Sequence, residues 1–198
     1  KSDGTERIIY RADSGTTINR ATAPAGGSIF VELASGSNVQ VVGVKLADGS
    51  ARMSQVPNLS TTLPRPIDES YASFSGTNAE REFGFSVNLV TGSKTTKLFQ
   101  SPSSISALAW RADGEVLALA NQTSLILVTL MAGDTQVITL PSPVLSLNWR
   151  GPDVIVHTMA GSLVVSAGAK QPTKLSLDSL GGHDLIALDD QTYGWITG

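Results

Sequence analysis

Residues 105–120 read ISALAWRADGEVLALA, and residues 144–157 read VLSLNWRGPDVIVH. Each stretch is an apolar run ending in Trp-Arg, then a short glycine-containing turn, then a second apolar run, and this pattern predicts a β-hairpin. Trp110 and Trp149 are 39 residues apart. A repeat of this length is typical of small sheets stacked side by side, because one such unit cannot bury its apolar faces alone.

A third, incomplete copy of the hairpin begins at residue 184 and reads DLIALDDQTYGWI. Leu188 stands 39 residues after Trp149, and the sequence ends just after the second run. Stacked sheets that form a ring must close it, because an open ring would expose apolar surface at both ends. We therefore expect residues 7–12 and 16–21 to supply the two outer strands of the sheet formed by residues 184–198.

Five glycines in tight-turn contexts punctuate the alternating runs at intervals of 34, 43, 41 and 35 residues. They are Gly15, Gly49, Gly92, Gly133 and Gly168. Glycine supplies the positive φ that short hairpins need, and each interval has the length of a four-stranded blade. The sequence therefore predicts an all-β fold, a single β-propeller domain over residues 1–198 with about five blades.

Residues 59–82 interrupt this rhythm. Pro64 and Pro66 oppose regular strand pairing, so we expect an irregular loop over this range, followed by a degenerate first strand or two. Loops on a rigid scaffold often carry binding residues, and arginine and aromatic side chains are enriched in interface hot spots. Arg65, Tyr71 and Phe74 are accordingly the predicted partner-binding residues, and the alternative is a connector without a partner.

The overall composition narrows the classes of function. The chain has a formal net charge of −3 and a pI near 5.3, without the basic stripe that nucleic-acid binding requires. No apolar run is long enough to span a membrane. The sequence has no cysteine, which excludes disulfides, thiolate metal sites and a cysteine nucleophile. It begins at Lys1 rather than Met, which we interpret as a trimmed or processed N-terminus.

No combination of residues predicts catalysis, a metal or a cofactor. His157 reads as an ordinary strand residue and His183 as a turn residue. Three acidic pairs could in principle serve a glycosidase or a cation, but adjacent acids on loops are typically solvated. These pairs are Asp68 with Glu69, Glu80 with Glu82, and Asp189 with Asp190. The sequence also contains no nucleophile elbow, calcium loop or phosphate-binding glycine fingerprint.

The two repeated tryptophans admit two interpretations. Trp110 and Trp149 could stack on a ligand, as aromatic rings in binding sites do. Their equivalent positions in the repeat favour packing between blades. Arg111 and Arg150 follow them and are expected near the turn at one rim of the ring.

The unit WRADG followed by VLAL, residues 110–114 and 116–119, resembles the blades of TolB-like and WD-repeat propellers. Residues 105–120, 144–156, 185–188 and 193–196 together resemble the C-terminal propeller domain of the LpqB lipoproteins of actinobacteria. This resemblance implies an extracytoplasmic lipoprotein, anchored through a segment outside this sequence and accessory to a two-component sensor histidine kinase. The partner would be the extracellular domain of that kinase.

Three functions follow from these observations. The first is a non-enzymatic protein-interaction module of the cell envelope. The second is a carbohydrate-active or other hydrolytic propeller, whose site would lie in the central channel and use acids from several blades. The third is a purely structural part of a larger envelope protein. Converging carboxylates in the channel would favour the second.

Overall fold

The computed structural model describes residues 8–22, 27–75, 85–175, 184–187 and 193–196. Within these ranges the chain forms eighteen strands and no helix. In chain order the strands are β1 (Thr17–Ala21), β2 (Ser28–Ser35), β3 (Asn38–Lys45), β4 (Ala51–Met53), β5 (Thr62–Pro64), β6 (Tyr71–Ser75), β7 (Phe85–Thr91), β8 (Lys94–Ser101), β9 (Ala107–Trp110), β10 (Val116–Asn121), β11 (Ser124–Thr129), β12 (Thr135–Thr139), β13 (Val144–Arg150), β14 (Asp153–Thr158), β15 (Gly161–Val165), β16 (Thr173–Lys174), β17 (Asp184–Ala187) and β18 (Tyr193–Ile196).

Each successive group of four strands forms its own antiparallel sheet, with the strands in sequence order. We call these sheets blades 1 to 4. β17 and β18 form a two-stranded sheet, and β17 lies beside β13 and β14. The first strands of blades 3 and 4, β9 and β13, lie next to each other. The predicted all-β propeller is confirmed, with four complete blades among the described residues where the sequence predicts about five.

The hydrophobic core lies between the blades, and β10 shows why. All six of its residues are buried. Leu117 and Leu119 pack with residues of blade 2, while Ala118 and Ala120 pack with residues of blade 4. A strand covered on both faces needs apolar residues at every position. Fully burying one leucine contributes about 1.5–3 kcal/mol, so this strand contributes much of the stability.

The turn glycines explain why five glycine turns accompany four complete blades among the described residues. All five have positive φ, as expected. Gly49, Gly92, Gly133 and Gly168 lie between the third and fourth strands of blades 1 to 4. Gly15 instead lies in a turn before β1 and does not mark a blade. Five turns therefore correspond to four complete blades.

The predicted closure by N-terminal strands is wrong for residues 16–21. β1 pairs with β2, so these residues are the first strand of blade 1. Strands adjacent in sequence usually pair, because a short connection costs less entropy than a long one. Residues 8–12 form no strand, and Ile9, Tyr10 and Ala12 pack against the apolar cluster of blade 1.

The range predicted as an irregular loop, residues 59–82, contains two strands of blade 2. Thr62–Pro64 is the edge strand β5, and Tyr71–Ser75 is β6. An edge strand tolerates proline, and Pro64 is the last residue of β5. Residues 65–70 form the turn between these strands, while residues 76–82 fall outside the described ranges.

Candidate functional site

An arginine stands where the first strand ends in three successive blades, at positions 65, 111 and 150. The guanidinium carbon of Arg65 lies 5.9 Å from the centroid of the Trp110 ring in the next blade. The same distance from Arg111 to Trp149 is 5.8 Å. These are cation–π distances. Arg65 and Arg111 therefore each stack on the tryptophan of the blade that follows.

The tryptophans complete this contact through their indole nitrogens. Trp110 Nε1 donates a hydrogen bond to the Leu63 carbonyl, at 3.2 Å. Trp149 Nε1 donates to the Ala109 carbonyl, at 3.0 Å. Both bonds reach back to the first strand of the preceding blade. Trp110 and Trp149 therefore pack between blades, as their equivalent positions predict.

Arg65, the first of the predicted partner-binding residues, is held by several bonds. Its Nε donates to the Gly114 carbonyl at 2.8 Å. One Nη lies 2.8 Å from an Asp68 carboxylate oxygen, and the other lies 3.5 Å from Glu115. The side chain is only 13% exposed. Arg65 therefore links blades 2 and 3 at this end of the molecule.

Tyr71 and Phe74 both lie in β6, which pairs with β5 on one side and β7 on the other. Both side chains are half-buried, and Phe74 packs against the cluster between blades 2 and 3. The structure thus gives all three predicted contact residues a place in blade packing or strand pairing. Their role in partner binding stays a prediction.

Carboxylates at this end of the molecule are held ionised by local bonds. Hydrogen bonds from Arg111, together with that of the Glu115 backbone, hold the pKa of Asp113 below its usual value against the opposing effect of burial. Burial would raise the pKa of Asp68, but hydrogen bonds from Ser70 and the charge of Arg65 outweigh it and lower the pKa. Both carboxyl groups are therefore ionised at neutral pH and accept hydrogen bonds within their turns.

The remaining candidates for chemistry behave as ordinary structural residues where they are described. His157 Nδ1 lies 3.0 Å from Ser162 Oγ, on the neighbouring strand, which agrees with the prediction for this histidine. Asp68 bonds Arg65, and Glu69 is largely exposed, 3.9 Å from Arg52. Among the acids and histidines singled out from the sequence, five fall outside the described residues. They are Glu80, Glu82, His183, Asp189 and Asp190.

The two rims of the propeller differ in charge. Because each blade has four antiparallel strands, its first-to-second and third-to-fourth connections share one rim, and the other connections share the opposite rim. The first rim carries Arg65, Asp68, Arg111, Asp113 and further charged residues, and we call it the charged rim. Residues 76–84 and 176–183, which join β6 to β7 and β16 to β17, fall outside the described ranges and include Glu80, Arg81, Glu82 and Asp178. The described connections of the opposite rim have no ionisable residue, and we call these connections the uncharged rim. They are residues 36–37, 54–61, 102–106, 122–123, 140–143 and 159–160.

Four large apolar side chains are exposed at the uncharged rim. Ile18 and Leu145 begin the first strands of blades 1 and 4, while Val39 and Met159 flank second-to-third connections. Their exposures run from 46% at Val39 to 74% at Met159. Two described acids lie beside this rim: Asp13, in the turn before β1, and the buried Glu32, whose Oε2 accepts a hydrogen bond from the Leu59 backbone N–H at 2.6 Å. Nothing local in the sequence marks this surface, because only the strand order places its connections together.

The first strands of the four blades surround a cavity of about 490 Å³. It is lined by Arg20, Ala21, Thr22, Phe30, Leu59, Thr62, Leu63, Pro64, Leu108, Ala109, Trp110, Ser146, Leu147 and Asn148. This is the central channel of the propeller. Among these described lining residues there is no carboxylate, so the converging acids that would favour a hydrolytic site are not found among them. Arg20 and Asn148 were not singled out from sequence, because nothing local marks them.

The described ranges contain no group of three or more His, Cys, Asp or Glu residues placed to hold a metal ion. They also contain no helix long and apolar enough to cross a membrane.

No protein-family model matches the sequence, and no curated protein matches it. Among solved structures, apo AztD from Citrobacter koseri is similar, with 10% identity and a TM-score of 0.49 over 77% of this chain and 45% of that one. The acylaminoacyl peptidase of Pyrococcus horikoshii gives 11% identity and a TM-score of 0.48, covering 81% of this chain and 32% of the peptidase.

A third similar structure is the extracellular domain of a putative one-component system from B. thetaiotaomicron. It gives 14% identity and a TM-score of 0.48, over 78% of this chain and 22% of that one. The present chain thus spans less than half of each of these proteins. These likenesses concern the fold and extend to no function. The resemblance to LpqB lipoproteins stays a prediction.

Proposed function

We propose that this chain is a non-enzymatic protein-interaction module of the cell envelope and that the uncharged rim is its contact surface. One observation carries the proposal. The described connections of that rim carry no ionisable residue, while Ile18, Val39, Leu145 and Met159 are exposed there. The centres of protein interfaces are depleted in charged residues.

The charged rim is less suited to binding because its cations are engaged within the fold. Arg65, Arg111 and Arg150 each bond an acid of their own turn. Two of the three also stack on a tryptophan. A partner that recruited these groups would have to break inter-blade contacts, whereas the apolar side chains of the uncharged rim are available without any rearrangement.

The proposed location and partner are based on the resemblance of this sequence to the LpqB lipoproteins. We propose an extracytoplasmic protein, tethered by a lipid anchor in a longer chain, that contacts the extracellular domain of a sensor histidine kinase. Such a sensor domain could meet the uncharged rim through an apolar face. Binding driven by apolar contact should persist at high salt, because screening weakens contacts between charges and leaves hydrophobic contacts intact.

The test is affinity capture from a cell-envelope extract with a matched pair of variants. Met159 and Met131 both lie in exposed turns, 74% and 86% exposed, but on opposite rims. Met159→Glu places a charge on the proposed surface, and Met131→Glu places the same charge on the other rim. We expect the first variant, and the Leu145→Lys variant, to lose the captured protein, while Met131→Glu retains it at low and high salt.

Equal capture by Met159→Glu and Met131→Glu would rule out the uncharged rim as the contact surface. The residues favoured by sequence are tested in the same assay. Because Arg65 joins two blades, we expect Arg65→Ala to lower the melting temperature without loss of capture by the folded protein. Loss of capture with Arg65→Ala alone would instead place the interface at residues 64–74.

A further inference from the structure

The central cavity presents hydrogen-bond donors whose orientation is set by the fold. Asn148 Oδ1 accepts a hydrogen bond from the Trp149 backbone N–H at 2.9 Å, which turns its amide nitrogen the other way. That nitrogen, Nδ2, is buried and has no partner among the described residues. An unpaired buried donor is unfavourable in a folded protein, so its presence in a cavity lining points to an acceptor that binds there.

Thr22 adds a second oriented donor. Its Oγ1 accepts a hydrogen bond from the Phe30 backbone N–H at 3.0 Å. A hydroxyl has one proton and two lone pairs, so Thr22 can also donate to an acceptor in the cavity, and no described residue accepts that proton. Thr22 and Asn148 line the same cavity, although they lie 126 residues apart in the sequence.

Arg20 supplies the charge. It is the ionisable residue among the described lining residues, and it forms no ion pair with a described residue. This contrasts with Arg65, Arg111 and Arg150, which all bond acids. Arg20 is exposed, and Glu32 lies opposite it in the register of β1 and β2, where the Glu32 carboxylate accepts a hydrogen bond from the Leu59 backbone N–H at 2.6 Å. A guanidinium that forms no ion pair with a described residue, beside neutral donors, can bind a carboxylate or phosphate.

The rest of the lining includes the polar residues Thr62 and Ser146 and an apolar part formed by Phe30, Leu63, Leu108 and Trp110, among others. We infer that the central cavity binds a small organic acid, whose carboxylate meets Arg20, Asn148 and Thr22 and whose apolar part meets these walls. The volume of about 490 Å³ lies in the usual range for such sites, about 300–1,000 Å³. This site is separate from the uncharged rim and does not depend on that proposal.

The experiment is calorimetric titration of the full chain with hexanoate, with hexanamide as the neutral analogue and with inorganic phosphate, at constant ionic strength. Hexanoate is expected to bind with a dissociation constant below 10 mM, on the order of millimolar affinity for one charged pair. Hexanamide and phosphate should each bind about tenfold or more weakly, since one lacks the charge and the other lacks the apolar body. Trp110 lines the cavity, so its fluorescence gives a second readout.

Two variants locate the site. Arg20→Gln should weaken hexanoate binding about tenfold or more, while Arg11→Gln, an exposed arginine outside the cavity lining, should leave it unchanged. Asn148→Asp keeps an oxygen for the Trp149 N–H and puts a negative charge in the cavity, so it should abolish binding. Circular dichroism confirms that each variant is folded. Absence of hexanoate binding, equal binding of hexanamide or phosphate, or full binding by Arg20→Gln would each overturn the inference.

Discussion

The arginine and tryptophan side chains between blades illustrate how single residues hold this fold together. Arg111 lies over Trp149, whose indole N–H bonds the Ala109 carbonyl of the preceding blade. Arg65 and Trp110 repeat the arrangement one blade earlier. Each contact combines ring burial, a satisfied indole donor and a cation above the ring. The sequence repeat is therefore a repeat of interfaces as well as of strands.

Replacing Arg111 by methionine should destabilise the protein by about 1 kcal/mol, because the cation over Trp149 is lost while the aliphatic stem is kept. The matched control is Arg52→Met. Arg52 is 73% exposed and lies 3.9 Å from Glu69, and such an exposed pair contributes little. Urea unfolding measures both free energies of unfolding. Equal values for the two variants would contradict the structural role given to Arg111.

The lowered pKa values of Asp68 and Asp113 predict how stability depends on pH. Near pH 4 the unfolded chain binds more protons at these two carboxyls than the folded chain does, so stability falls as pH falls. The contribution is complete above the unfolded value, about pH 4, and is lost as pH falls through the lower folded values. We expect urea unfolding to show similar stability at pH 7 and pH 5 and a clear loss at pH 3. Asp113→Asn should reduce this fall in the free energy of unfolding between pH 5 and pH 3. If the variant shows the same fall as the unsubstituted protein, other acids are responsible for it.

At the scale of elements, the turns of neighbouring blades pack on one another. Gly114, in the turn between β9 and β10, has a φ of +69° and lies under Ile67 of the blade 2 turn. A Cβ at this position would lie 2.8 Å from Ile67 Cγ1 and 3.0 Å from Arg65 Nε. The glycine therefore serves both the turn conformation and the contact between blades.

Gly114→Ala should consequently destabilise the protein more than Gly92→Ala does. Gly92 also has positive φ, at +57°, but a Cβ there would have no neighbour within 4 Å. The shared backbone strain costs about 1–3 kcal/mol, and the Gly114 variant must also displace Ile67 and Arg65. Thermal unfolding of both variants measures the difference. A melting temperature for Gly114→Ala at or above that of Gly92→Ala would show that the two turns do not press on each other.

At the scale of the whole molecule, the contacts that stabilise the fold run around the ring, whereas the proposed contact surface lies at one end of the ring axis. Apolar clusters between blades run around the ring, as in the cluster that joins β10 to blade 2. Among the described residues, charged and uncharged connections lie at opposite rims, because an even number of strands per blade returns each type of connection to the same rim. The cavity lies on the axis itself, enclosed by the first strands.

Truncation of the inter-blade core should therefore affect more than one blade. Leu119 is fully buried, and Leu119→Ala is expected to cost about 2–5 kcal/mol. Hydrogen exchange should become faster in blades 2 and 3 together, since the side chain packs between them. Val137→Ala, on an outer strand and 60% exposed, should change stability by less than about 0.5 kcal/mol. Faster exchange confined to β10 would argue against cooperation between the blades.

Much of the candidate site was outside the reach of sequence reasoning. Trp110 and Trp149 were correctly predicted to pack between blades, because equivalent repeat positions share an environment. Arg65 looked like a loop residue, but it lies in a turn that packs against the next blade, where Gly114 and Glu115 bond it. Arg20 and Asn148 belong to no motif, and they line one cavity only because the first strands of the blades surround it.

The sequence by itself determined the all-β class, the hairpins around Trp110 and Trp149 and the positive-φ glycine turns, since alternation and turn chemistry act between residues that are near neighbours along the chain. Only the tertiary structure decided that β1 pairs with β2, how many blades are complete, and which side chains face the cavity or share a rim. These outcomes depend on competition among strand edges and apolar faces that lie far apart in the chain. Local patterns contain no information about which of those surfaces finally meet.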